Sequence, residues 1–207
     1  MSGPILIFQL IILLFSVILH EVSHGYAAYL LGDDTAKVSG RLTLNPLPHL
    51  DLWGSFLFPL ISYLISGGTF IFGWAKPVPF DPLRLRKPKR DIGLVGLSGP
   101  LTNLLIAFFF SIIIRLAEIL NWTFLGPLAA FFSIIIYLNI LLAIFNLIPI
   151  PPLDGSRVLY SLLPAKWERF YWGLERYGLI LVMIFVMFCF QWIIPLIDFL
   201  FNIFVGW

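Results

Sequence analysis

Charge is scarce in this chain. Lys, Arg, Asp and Glu together make up 12% of its 207 residues, about half the roughly 25% of an average soluble domain. Cysteine is nearly absent, and one copy excludes both a disulfide scaffold and a CxxC zinc site. There is no surplus of either sign: the net charge is +2, and the basic residues do not form a groove interleaved with aromatics. That excludes a nucleic-acid binder. The opening Met1-Ser2-Gly3-Pro4 has no Lys or Arg, so it is not the n-region of a signal peptide. Alternation of polar and apolar residues is missing from the long runs, which excludes a barrel. Hydrocarbon is what abounds: 60% of residues are hydrophobic, 17% are aromatic, and the mean hydropathy is +0.98. A soluble globular protein and a disordered chain are excluded, which leaves an all-α polytopic membrane protein.

Five apolar runs stand out: 4–31, 52–74, 92–120, 126–148 and 177–207. The last is broken by Gln191, Pro195 and Asp198 and reads as one full helix plus a shorter terminal piece. Four to six membrane segments are expected in a single domain, 1–207, with its core at 5–155 and C-terminal membrane segments at 174–207. Nearly all Lys and Arg fall in three stretches, 32–51, 75–91 and 155–176; Arg115 is the exception. Basic loops stay on the cytoplasmic side. The run 52–74 then lies between two cytoplasmic loops, so it cannot cross once, and it is too short to cross twice at ~20 residues per span. A re-entrant or membrane-embedded segment after the first span resolves the conflict, with Pro59 and Gly67-Gly68 suited to its bend. The alternative is one full span with the loop 32–51 external.

A carboxylate inside an apolar span is costly unless paired or bound to a cation, and so it is a functional hypothesis by default. Glu21 is such a residue, within His20-Glu21-Val22-Ser23-His24. Helical residues advance ~100° each, so His20 and His24 share one face, one turn apart. Two imidazoles so placed can hold one Zn²⁺, with Glu21 beside its open coordination position. Alternatively, they pair with polar groups inside a bundle. A catalytic zinc needs a third protein ligand. Asp154 is the best candidate, because Pro149, Pro151 and Pro152 just before it cannot continue a helix. Such backbone at membrane depth lines a protein-enclosed or watery cavity. Asp154-Gly155 is also a common turn dipeptide. In Gly99-Pro100-Leu101-Thr102-Asn103, Gly99 permits close packing and Asn103 can bond across helices, which reads as packing glue. His49, in the loop 32–51, is either an additional metal ligand or a packing residue. Cys189, among Met183, Phe188 and Phe190, reads as apolar filler.

Three elements in this order, HEVSH at 20–24, GPLTN at 99–103 and NLIPIPPLDG at 146–155, together resemble the site-2 protease family of intramembrane zinc metalloproteases. The stretch from Gly32 to Asp51 resembles its compact prokaryotic branch, without PDZ or cystathionine-synthase-like domains. The span that precedes the HExxH helix in some relatives is expected to be missing. The resemblance implies one zinc per chain, held by His20, His24 and Asp154, with Glu21 activating the attacking water and Asn146 steadying the substrate carbonyl. It implies cleavage of transmembrane helices of other membrane proteins, near the cytoplasmic side. The expected partners are such transmembrane substrates and membrane lipids, without nucleic acid, and the expected place is a prokaryotic plasma membrane. Two other classes stay open: a non-catalytic metal-binding membrane protein or carrier, and a structural lipid-packing protein. A carrier has no need of a non-ligating carboxylate between its histidines, whereas a hydrolase does.

Overall fold

The computed structural model describes every residue except 1, 2, 66, 68–72, 74 and 207, and all but the side chain of residue 56. Among the described residues the regular structure is helical, with no strand. The α-helices are α1 (Gly3–Leu30), α2 (Thr35–Val38), α3 (Phe58–Ile65), α4 (Pro88–Ile119), α5 (Gly126–Asn146), α6 (Asp154–Leu162), α7 (Glu168–Glu175), α8 (Gly178–Phe188) and α9 (Ile194–Val205).

Three of them span a bilayer by length and composition: α1, α4 and the helical stretch Thr123–Asn146 that contains α5. Their outer faces leave Ile7, Leu105 and Phe109 exposed, the arrangement lipid requires and water would punish. The chain is therefore a multi-pass membrane protein. Helix α4 starts where Pro88 presets its first turn and the buried Asp91 accepts the Lys87 N–H at 2.8 Å. Helix α1 ends just before Gly32, whose φ of +114° disfavours any other residue.

The segment after the first span does not cross. A π-helical stretch, Leu52–Leu57, runs into α3, and together they make a short apolar helix, Leu52–Ile65. The chain then returns to where it left: the Lys76 N–H donates to the His49 carbonyl at 2.9 Å, and the Asp81 N–H to the Asp33 carboxylate at 2.6 Å. Loops 32–51 and 75–91 thus lie at one end of the bundle, and the alternative of a single span with an external loop 32–51 is excluded. Of the expected bend, Gly67 has a φ of +64°, whereas Gly68 lies outside the described residues.

The C-terminal part differs from expectation. The basic stretch 155–176 is largely helical, as α6 and α7. The run 177–207 contains no full-length span among its described residues: α8 and α9 are 11 and 12 residues long, separated by a 3-10 turn at Phe190–Trp192. Pro195 accounts for the restart, since it lacks an N–H and is tolerated only in a helix's first turn. The helical stretch Ala165–Glu175 meets α8 at 76°, so this bent pair is a broken span or a re-entrant element. Arg115 of α4 donates to the carbonyls of Ile203 and Phe204, which closes the open end of α9.

Two buried clusters hold the helices together. One joins Ala28, Leu85, Ile92, Val95, Tyr160 and Tyr171, beside the basic loops. The other joins Ala107, Ile114, Ile136, Ile140, Ile197 and Val205, farther along α4 and α5.

Candidate metal centre

Helix α4 brings its neighbours close through three glycines at three-residue spacing. A Cβ at Gly93 would collide with the Ser161 Oγ, and one at Gly96 would meet the Asp154 carbonyl at 3.0 Å. Helix α6 therefore lies almost on the backbone of α4, and Asp154, its first residue, is pressed into the bundle. At Gly99 a Cβ would lie 2.5 Å from His20 Nε2 and 2.6 Å from His24 Cε1. The space a side chain would take at position 99 is filled by the two imidazoles.

The histidines of α1 and the carboxylate of α6 meet here. Asp154 Oδ2 lies 2.9 Å from His20 Nε2 and 3.1 Å from His24 Nε2. All three residues are buried, and one ligand atom from each lies within 4.8 Å of the others. This is the one such group of three or more among the described residues. The other carboxylate oxygen, Oδ1, accepts from Arg157 Nη1 at 3.0 Å, which favours the ionised form of Asp154.

The donor set fits a divalent metal. His24 Nδ1 stands 2.7 Å from the Val95 carbonyl, which can only accept, so Nδ1 carries the proton. In the neutral imidazole Nε2 then has a lone pair, aimed at another acceptor, Asp154 Oδ2. Two acceptors 3.1 Å apart in a buried site call for a cation between or beside them. Two imidazoles and one carboxylate, with the imidazole N–H groups anchored elsewhere, are the donors a catalytic zinc takes, which leaves a fourth position open.

Glu21 lies on the same turn of α1 but outside this group. It is half-buried, and its Oε2 accepts the Val78 N–H at 2.8 Å. Arg41, itself buried, fixes that segment by donating to the carbonyls of Lys76 and Pro77. Among the described residues Oε1 takes no hydrogen bond. Asn146 is not brought into the ligand group: its Nδ2 donates to Leu142 O at 2.9 Å, one turn back on α5. His49 is fully buried, and its Nε2 bonds the Thr43 carbonyl at 2.9 Å, so it braces its own loop.

Sequence reasoning missed Gly93 and Gly96, whose three-residue spacing with Gly99 was the available signal. It also missed Asn139, an amide inside an apolar run to which the cost of idle polar groups in lipid applied equally. The Val78 contact left no local trace.

Fold and site together define a helical membrane protein with a buried His-His-Asp donor set and a glutamate next to it. The family model described as Peptidase family M50 matches residues 121–190. Three similar proteins carry the name "Putative zinc metalloprotease". YwhC of Bacillus subtilis is 42% identical over 87% of this chain and 79% of its own length. MJ0611 of Methanocaldococcus jannaschii is 35% identical, over 60% and 58%. Rip2 of Mycolicibacterium smegmatis is 27% identical, over 84% and 64%. No solved structure is matched. The chain belongs to peptidase family M50, the site-2 protease family of zinc metalloproteases.

Proposed function

We propose that this protein is an intramembrane endopeptidase that hydrolyses peptide bonds within or near transmembrane helices of other membrane proteins. His20, His24 and Asp154 hold one zinc per chain in this reading, in a single domain 1–207 whose core is 5–155. The observation that carries it is the convergence of two imidazole Nε2 atoms on one buried carboxylate oxygen, with an unligated glutamate on the same helical turn.

When bound, zinc supplies Lewis acidity, polarising a carbonyl and lowering the pKa of water from ~15.7 toward ~7. The remaining steps belong to the chain. The Val78 N–H holds Oε2 of Glu21 in place, so Oε1 takes the proton of the attacking water and delivers it to the leaving amine. Asn146 rotates its amide from Leu142 O toward the carbonyl under attack and donates to the developing oxyanion. A helical substrate hides its carbonyls in its own hydrogen bonds, so it must unwind before attack. Loop 32–51 and segment 52–74 serve as gates or docking edges for the unwound stretch.

Charge supports a site on the cytoplasmic side, and the resemblance to the compact prokaryotic branch supports a prokaryotic plasma membrane. The three basic stretches meet beside the ligands, through Arg84 with Asp34 and Lys89 with Glu168, each at 2.7 Å.

The test compares purified, zinc-loaded wild type with Glu21→Gln on membrane-spanning substrates in detergent. The variant keeps its zinc and loses ~10²–10⁴-fold in cleavage rate, the usual worth of a general base. Equal cleavage by both proteins would remove Glu21 from the mechanism, and no cleavage by zinc-loaded wild type would favour the carrier reading.

A further inference from the structure

His20 and His24 are oriented by different means, and the difference points to two asparagines. His24 hydrogen-bonds a backbone carbonyl directly. His20 Nδ1 instead meets a side-chain amide oxygen, Asn103 Oδ1, at 2.6 Å. An amide can turn over and present NH₂ in place of oxygen, so Asn103 can instruct His20 only if something holds it.

We propose that Asn139 and Asn103 form an amide relay, anchored on the Ile135 carbonyl, that decides which nitrogen of His20 carries its proton. The proposal rests on the zinc site above. A backbone carbonyl only accepts, so the group of Asn139 that lies 2.9 Å from Ile135 O is its NH₂. The second proton of that NH₂ goes to Ser16 Oγ at 3.0 Å. Asn139 Oδ1 is thereby turned to Asn103, whose Nδ2 donates to it at 2.9 Å. Asn103 Oδ1 then faces His20 and accepts, so Nδ1 is the protonated nitrogen. Neutral imidazole carries one N–H, so the lone pair resides on Nε2, which faces Asp154 Oδ2. Ser16, His20, Asn103 and Asn139 are all buried, the two asparagines completely, so water does not compete for any link. The relay crosses α1, α4 and α5 and ends on a metal-facing atom. Asn103 and Asn139 are positioning residues, and Asn139 acts through Asn103.

Mere adhesion between membrane helices is the rival account, and the two differ in what they require of position 103. The relay needs an oxygen facing His20 Nδ1. Asn103→Asp keeps one, and a carboxylate behind a zinc-bound histidine is a common support. Asn103→Leu removes it. Adhesion predicts the reverse order, because Asn103→Asp buries a charge and loses the donor to Asn139.

The experiment measures zinc affinity in detergent by chelator competition for wild type, Asn103→Asp, Asn103→Leu and Asn139→Leu, with monodispersity and helicity as controls for folding. The sequence has three histidines, so ¹⁵N-histidine spectra can resolve His20 and report its protonated nitrogen directly. The relay predicts a 10–100-fold loss of affinity in Asn103→Leu and Asn139→Leu, the usual effect of removing such a support. It also predicts affinity within about threefold of wild type in Asn103→Asp. In the zinc-free protein the His20 proton moves from Nδ1 to Nε2 in Asn139→Leu, while His24 is unchanged. A folded Asn139→Leu with wild-type affinity overturns the relay. So does an Asn103→Asp protein that fails to fold or binds no better than Asn103→Leu. Wild type without stoichiometric zinc would overturn the metal site itself, a separate outcome read before any variant is compared.

Discussion

Helix α4 touches its neighbours in two different ways along its length. Near its start Gly93, Gly96 and Gly99 admit α6 and two imidazoles to its backbone, and hydrogen bonds join Asn103, Asn139, Ser16 and His20. Farther on, Ala107 and Ile114 pack against Ile136, Ile140, Ile197 and Val205 with no polar atom among those side chains. The first region depends on direction, since each amide and imidazole must present a particular atom. The second depends on volume, and apolar side chains tolerate exchange so long as volume is kept. One added carbon should therefore be ruinous in the first region, whereas removed carbons in the second should cost stability and leave the chemistry intact.

The sharpest break of that contrast is Gly99→Ala. Its Cβ lies 2.5 Å from His20 Nε2 in this backbone, so the imidazoles or α4 must move. Zinc affinity should fall by about 100-fold or more, beyond the loss of one supporting bond, as chelator competition would read. Zinc retained at wild-type strength would show that the ring cradle is not where the metal sits. Ile140→Ala is the counterpart in the apolar region. Deleting this fully buried side chain should cost about 2–4 kcal/mol of stability, measured by denaturant unfolding in detergent. Its zinc affinity should stay within about threefold of wild type, because the Ile140 side chain packs in the apolar cluster and makes none of the hydrogen bonds that orient the ligands. A larger change would mean that the two regions are coupled.

The smallest expected effect concerns the loops beside the metal end. Burial pushes the Asp33 carboxyl up, but hydrogen bonds from Thr35 and the Asp81 N–H, with the Arg84 charge, outweigh it and hold the carboxyl below the usual range. The folded state thus binds the proton less well than the unfolded chain. Asp33 contributes stability in full above the ordinary carboxylate value of ~3.9 and loses it as pH falls through the folded-state value. Amide exchange of residues 75–81, corrected for its intrinsic pH dependence, should therefore accelerate modestly below about pH 4. In Asp33→Asn the same exchange should be faster throughout and flatter with pH in that window. A flat wild-type profile would remove Asp33 as the tie between the loops.

Much of the site was legible because its signals are local or chemical. His20 and His24 share a face by helical geometry alone, and the prolines before Asp154 forbid helix whatever surrounds them. The membrane class follows from composition, and the confluence of three basic loops from where Lys and Arg fall. Asn146 shows the limit: the chain placed it near Asp154, yet its amide is turned back on α5. His49 read more readily as a packing residue than as a ligand, and its buried bond to Thr43 is a contact that a brace makes.

What the chain alone determined is whatever depends on spacing along one helix or on the cost of charge in hydrocarbon: the spans, the paired imidazoles and the anomalous carboxylates. Tertiary structure decided the rest. It carried Asp154 onto both rings, returned segment 52–74 to the end it left, tied Glu21 to Val78 and threaded Asn139 to His20. Such links span from 27 to 134 residues, and a hydrogen bond exists only once packing has set two atoms within about 3 Å and in line.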